Sequence, residues 1–145
     1  MKKLLCIVFG ALLLGGCSKA SSDDPAPASL VGTWTLTART IVTTPKNGGA
    51  PTTYPQPVKP NTATLTYTAD GKYQTVFDKS VSGTGATEIN SGNYVYSGNI
   101  ITYSRPGSSS TSTGRVDVLT ASTLVHVATI DSGTYPSVTT NTYMR

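Results

Sequence analysis

At 145 residues the chain has room for one domain and a tether rather than two domains. Its formal charge of +4 comes from 11 Lys and Arg against 7 Asp and Glu, but Lys2 and Lys3 stand in a leader and the 9 basic side chains that remain are scattered. That excludes a nucleic-acid interface, which needs clustered Lys and Arg. The 2 cysteines, Cys6 and Cys17, give no disulfide framework, because Cys6 also lies in the leader.

The chain opens on Met1-Lys2-Lys3, an apolar run from Leu4 to Leu14, and then Gly15-Gly16-Cys17. A charged start, an apolar core and small residues at the end form a secretory signal over residues 1–16. As a helix the apolar run reaches roughly 16 Å, against about 30 Å of hydrocarbon, so it is too short to span a bilayer. The ending Leu14-Gly15-Gly16-Cys17 resembles the lipobox of bacterial lipoproteins. That resemblance implies a diacylglycerol group on the Cys17 thiol, acyl chains of the palmitate kind, and cleavage that leaves Cys17 as the N-terminus. The partner it implies is a membrane of the cell envelope, an outer membrane on its periplasmic face or at the cell surface.

Residues 17–29 form the next segment. Ser18 to Ser29 offers almost nothing apolar to bury and is expected to stay a flexible tether. Twelve such residues reach roughly 20 Å on average and about 40 Å fully stretched. Asp23-Asp24 is weakly similar to acidic export signals of surface lipoproteins; the alternative, and the reading favoured, is a plain solubilising linker.

From Leu30 to Arg145 the sequence predicts an all-β domain. Thr, Ser, Gly and Tyr dominate, and turn signals recur about every 10 residues. Eight strands are expected: Val31–Thr44, Asn61–Thr68, Lys72–Val81, Thr87–Tyr96, Asn99–Arg105, Thr113–Leu119, Thr123–Ile130 and Tyr135–Arg145. In Thr62-Ala63-Thr64-Leu65-Thr66-Tyr67-Thr68 the alternation sends Leu65 and Tyr67 to one face and the threonines to the other. Ala69-Asp70-Gly71, Ser97-Gly98, Thr120-Ala121-Ser122 and Asp131-Ser132-Gly133 read as tight joints. Short joints pair successive strands antiparallel, so the fold expected is a single up-and-down barrel that leaves no exposed edge. Pro45–Pro60, with five prolines and Gly48-Gly49, is expected to be a loop, since it cannot donate regularly to a ladder. Pro106–Ser112 is Gly/Ser/Thr-rich and is read as a second long joint.

Gly32-Thr33-Trp34 opens the first expected strand. This resembles the Gly-x-Trp motif that begins lipocalins. The middle of the chain, with Tyr67-Thr68-Ala69-Asp70-Gly71-Lys72-Tyr73, Gly92-Asn93-Tyr94 and Ser97-Gly98-Asn99, is similar to small bacterial lipocalin-like lipoproteins. The resemblance implies a lipocalin-like barrel over residues 30–145. It also implies that Arg145 packs over Trp34 to close the base beside Gly32. The chain lacks the family's Thr-Asp-Tyr motif and a C-terminal helix.

Leu, Ile, Val and Phe supply only 22 of these 116 residues, with eight Tyr and one Trp beside them. An interior built on Trp34, Leu36, Leu65, Tyr67, Tyr73, Phe77, Tyr94 and Tyr96 is apolar with polar tips. It suits either a filled core or a small apolar or amphiphilic ligand, because an eight-stranded barrel is just wide enough for either. The ligand-binding candidates are therefore Trp34, Leu65, Tyr67, Tyr73, Phe77, Tyr94, Tyr96 and His126.

His126, the sole histidine, shares a strand face with Leu124 and Ala128. One His without a free Cys makes no zinc site, so no metal is expected. Asp70, Asp78, Glu88, Asp117 and Asp131 form no acid–base pair, and no serine stands in a Gly-x-Ser-x-Gly elbow, so no catalytic residue, cofactor or enzyme activity is expected. The functional reading is a membrane-anchored, ligand-binding lipoprotein. The alternative is a filled barrel that docks a partner protein or glycan through exposed aromatics such as Tyr54, Tyr103 and Tyr135.

Overall fold

The computed structural model describes residues 28–79, 85–131, 133 and 135–145. The leader, Cys17 and the tether as far as residue 27 lie outside them. Nine strands form one antiparallel sheet: β1 Gly32–Thr43, β2 Thr52–Gln56, β3 Ala63–Tyr67, β4 Lys72–Phe77, β5 Glu88–Ser97, β6 Ile100–Ser104, β7 Thr111–Leu119, β8 Thr123–Ile130 and β9 Ser137–Met144. From β3 onward each strand pairs with the next, and β9 returns to β1. Eight strands thus close a barrel of the up-and-down kind expected, and β2 is added outside the closed ring.

That ninth strand corrects the sequence reading of Pro45–Pro60. Within the expected loop, Thr52–Gln56 pairs with Arg39–Thr43, setting Pro55 opposite Thr40. A proline without an N–H is tolerated because β2 has a single neighbour and its other edge makes no ladder. Both β2 and β3 run antiparallel to β1, β2 beside residues 39–43 and β3 beside residues 32–35. They lie along one line. If β2 continued unbroken from the pair Arg39↔Gln56, residue 60 would face Thr35, whereas Thr64 faces it. Four extra residues are therefore looped out between the two segments.

Several boundaries also move. β4 ends at Phe77 rather than Val81, a position outside the described residues; β7 starts two residues earlier than expected, at Thr111; and β9 starts at Ser137, after Pro136. The joints at Ala69-Asp70-Gly71 and Thr120-Ala121-Ser122 hold their places, and the one after β5 shifts by a residue to Gly98-Asn99. The last joint is longer than the expected Asp131-Ser132-Gly133, since β8 ends at Ile130 and β9 starts at Ser137; Ser132 lies outside the described residues. At Ala69-Asp70-Gly71 the Gly takes φ 78°, a left-handed conformation that side chains resist.

The interior is layered. Leu30, Trp34, Leu36, Ala63, Leu65, Tyr67, Tyr73, Ile101, Val116, Leu124 and Tyr143 are buried in one cluster, with Leu30 and Trp34 at the end where β1 begins. Trp34 is 0% exposed, and its indole Nε1 donates to the Leu30 carbonyl at 2.8 Å. The Arg145 Cζ lies 3.9 Å from the Trp34 ring centroid. Its Nη2 donates to the carbonyls of Ser29 and Val31, so one guanidinium covers the indole and holds the chain entering β1. Gly32 leaves space for this: a Cβ there would stand 3.3 Å from Arg145 Cζ. This end is closed by side chains.

Candidate functional site

The opposite half of the interior changes character because of an irregularity in β1. Its pairing with β9 runs Leu36↔Tyr143 and then Ala38↔Thr142, so Thr37 is an extra residue. A bulge of this kind switches which residues face in. Trp34 and Leu36 face the core before it, and Arg39 faces inward after it. In regular alternation Arg39 would share the outer face with Thr35 and Thr37. β7 bends in a similar way, with the register shifting between Val116 and Val118.

Register then lines up a polar layer across three strands, since Arg39 pairs with Asn141 and Asn141 with His126. Asn141 and His126 are both buried. The Arg39 Nε donates to Asn141 Oδ1 at 2.8 Å, and its Cζ stands 5.7 Å from the Phe77 ring centroid. Beside this layer, Tyr67 and Tyr103 join their hydroxyls in a short hydrogen bond, and the Tyr103 hydroxyl lies 3.3 Å from His126 Nε2. Tyr103 also packs edge-on against Tyr73 and His126. The His126 ring lies where only a glycine fits on β7: a Cβ on Gly114 would come within 1.8 Å of Nε2.

Burial sets the protonation states. Desolvation takes His126 down to about 4, so the imidazole is neutral at pH 7. It pushes Tyr143 up to about 12 and takes Tyr67 and Tyr103 further above the ordinary phenol range. The Tyr67–Tyr103–His126 chain is thus a set of neutral hydrogen-bonding groups.

Two cavities open in this half. One, about 240 Å³, lies inside the barrel between Leu65, Tyr73, Phe77, Tyr103, His126, Asn141 and Tyr143, with Arg39, Arg105, Asn90, Thr75 and Ser112 completing its wall. The other, about 440 Å³, is a cleft between Gln56–Lys59, where β2 leaves the wall, and the end of β4 with Glu88 of β5; Leu36, Thr62 and Ala63 complete it. Arg39 and Phe77 border both. Ligand pockets usually measure about 300–1,000 Å³, so the cleft is of that size and the inner cavity extends it.

The candidates named from sequence separate into groups. Leu65, Tyr73, Phe77 and His126 line the inner cavity. Tyr67 lies beneath it, bonded to Tyr103. Trp34 belongs to the closed end. Tyr94 packs edge-on to Tyr67 and donates its hydroxyl to the Thr68 carbonyl, while Tyr96 is 36% exposed; neither borders the two cavities. Of the aromatics considered for docking, Tyr54 and Tyr135 are exposed, but Tyr103 turns inward.

Sequence reasoning missed Arg39, Asn141, Asn90 and Arg105. For Arg39 a signal exists: the apolar positions Trp34 and Leu36 are followed by Ile41, a break in parity that marks a bulge. Among the described residues no carboxylate lines the inner cavity. Asp70 pairs with Lys72 at 2.8 Å, Asp117 with Arg115 at 2.5 Å, Asp131 with Lys46 at 3.1 Å and Glu88 with Lys79. Asp78 follows β4 rather than lying in a strand, and with Glu88 it borders the cleft. Among the described residues no three His, Cys, Asp or Glu side chains gather as a metal site would require.

The family model of the lipocalin-like domain matches residues 30–126. No curated protein matches the chain. Among solved structures, it is similar to the crystal structure of an uncharacterized protein from Bacteroides eggerthii, with 15% identity and a TM-score of 0.52, over 81% of this chain and 99% of that one. At that identity the likeness concerns the fold alone.

Proposed function

The chain belongs to the lipocalin-like family, and from that premise we propose that it is a non-catalytic binding protein that takes one small amphiphilic molecule into the open end of its barrel. The observation that carries this reading is the division of the interior. The closed end is filled by side chains, whereas the open half keeps a 440 Å³ cleft and a 240 Å³ cavity that meet at Arg39 and Phe77. Their walls combine apolar area from Leu36, Leu65, Val58 and Phe77 with hydroxyl, amide and guanidinium tips. Binding without catalysis is supported by the protonation states: a neutral His126 with no carboxylate partner among the described residues, and phenols far from ionising at pH 7.

Cys17 supplies the anchor in this proposal. Lipidated there, the protein is held at the outer membrane and either sequesters its ligand or hands it over. Two acyl chains anchor far more durably than one, since each buried CH₂ contributes about 0.8 kcal/mol. The test uses the neutral probe N-phenyl-1-naphthylamine, titrated into the protein by fluorescence. Saturable binding of one probe per chain, abolished in Phe77→Asp, is expected. Absence of saturation, or saturation unaffected by Phe77→Asp, overturns the pocket. The docking alternative draws on Tyr54 and Tyr135, 53% and 55% exposed. It would be favoured if Tyr54→Ser and Tyr135→Ser removed a cross-linked partner at the envelope while probe binding stayed unchanged.

A further inference from the structure

We propose that Arg39 is an anion-binding residue and that the ligand of the open end carries a carboxylate, held by the guanidinium, on an apolar body that lies against Phe77 and Leu36. This deepens the proposed binding function and rests on it.

The bulge at Thr37 brings a permanent cation to a position that alternation would have given to solvent. Turning a guanidinium into a half-buried interior is unfavourable unless something compensates the charge. Lys46, Lys72, Lys79 and Arg115 each pair with a carboxylate. Arg39 does not. Among the described residues its partners are the neutral amide of Asn141, which takes only Nε, and the face of Phe77. The bond to Asn141 fixes the plane of the guanidinium and leaves both terminal nitrogens to the cavities. Two parallel N–H groups on a fixed plane match the two oxygens of a carboxylate.

The surroundings agree with a negative guest. Among the described residues no carboxylate lines the inner cavity, and a second guanidinium, Arg105, stands on its wall. Two acids, Asp78 and Glu88, border the neighbouring cleft, where Lys79 and the Asn90 amide engage Glu88. His126 stays neutral beside Asn141, so it adds hydrogen-bonding capacity without charge. A purely structural Arg39, bracing β1 against β9 through Asn141, would need none of this and would not distinguish ligands by charge.

The test compares three probes with one chain length and three head groups: octanoate, octan-1-ol and octylammonium. Each is titrated calorimetrically into the native protein and into Arg39→Met and Arg39→Lys. A charge-assisted fork predicts that octanoate binds the native protein about ten-fold or more tighter than octan-1-ol, and that octylammonium binds weakest. Arg39→Met should remove the octanoate preference and keep octan-1-ol binding, while Arg39→Lys should retain part of the preference. Equal affinity for octanoate and octan-1-ol in the native protein, or an undiminished preference in Arg39→Met, overturns the role of Arg39 and leaves the pocket standing. Failure of all three probes to bind the native protein overturns the pocket as well. Should Arg39→Met fail to fold, the native comparison decides alone.

Discussion

Lowering the pH should destabilise this barrel through His126 before any carboxylate responds. The imidazole is 8% exposed, and its folded-state pKa lies at about 4, against an ordinary value near 6.5. Between those values the unfolded chain binds a proton that the folded chain refuses. The stability that a neutral His126 preserves is therefore complete above about pH 6.5 and is lost as pH falls toward 4. One proton corresponds to about 1.4 kcal/mol per pH unit, so the whole window costs about 3 kcal/mol, a large share of a typical 5–15 kcal/mol. Asp70, Glu88, Asp117 and Asp131 are held below the ordinary carboxylate range by hydrogen bonds from Lys72, Lys79, Arg115 and Lys46. Their losses begin only as pH approaches about 4, which leaves the limb between about pH 6.5 and pH 5 to the imidazole. Urea unfolding followed by the fluorescence of Trp34, the single tryptophan, measures this limb directly. The free energy should fall by about 2 kcal/mol over it in the native protein and stay nearly level in His126→Gln. A level native profile, or an equal slope in His126→Gln, refutes the reasoning.

Trp34→Ala should cost about 3–5 kcal/mol and unfold a domain with so little aliphatic core; in the native protein, acrylamide should barely quench the indole under Arg145, and strong quenching would contradict the closed base. Gly114→Ala should cost about 1–3 kcal/mol by urea midpoint, since its Cβ displaces His126 from Tyr103, and pairing it with His126→Ala should recover much of that loss; additive losses would contradict the contact. Cys17→Ser should abolish acyl-chain labelling and release the protein from the membrane fraction, and unchanged partition would contradict lipidation.

The barrel was legible wherever one physical rule acted alone. Strict alternation put Leu65 and Tyr67 on one face, which is buried together with Ala63, and the tight joint at Gly71 fixed antiparallel pairing across it. Residues governed by competing rules were hidden. Proline was counted against a ladder, yet at Pro55 the strand has one neighbour only, so the missing donor matters little. Unbroken alternation through Thr37 would set Arg39 on the outside. Its interior position follows from a single surplus residue, visible in sequence only as the mismatch between Leu36 and Ile41. Asn141 was hidden for a related reason, because a polar residue among threonines carries no signal of burial until its partner is known. The cation and the amide that define the polar layer are legible only as a pair.

The interrupted line of β2 and β3 separates two properties that an unbroken strand would tie together. β3 is locked to the first residues of β1 beside the tryptophan plug, and β2 is locked independently to the last residues of β1. The excursion between them carries no register of its own, yet Pro57, Val58 and Lys59 frame the side entrance. Lengthening or shortening it reshapes that entrance while both anchors keep their partners. Guest size can therefore drift in this architecture with little consequence for the half of the molecule that keeps it folded.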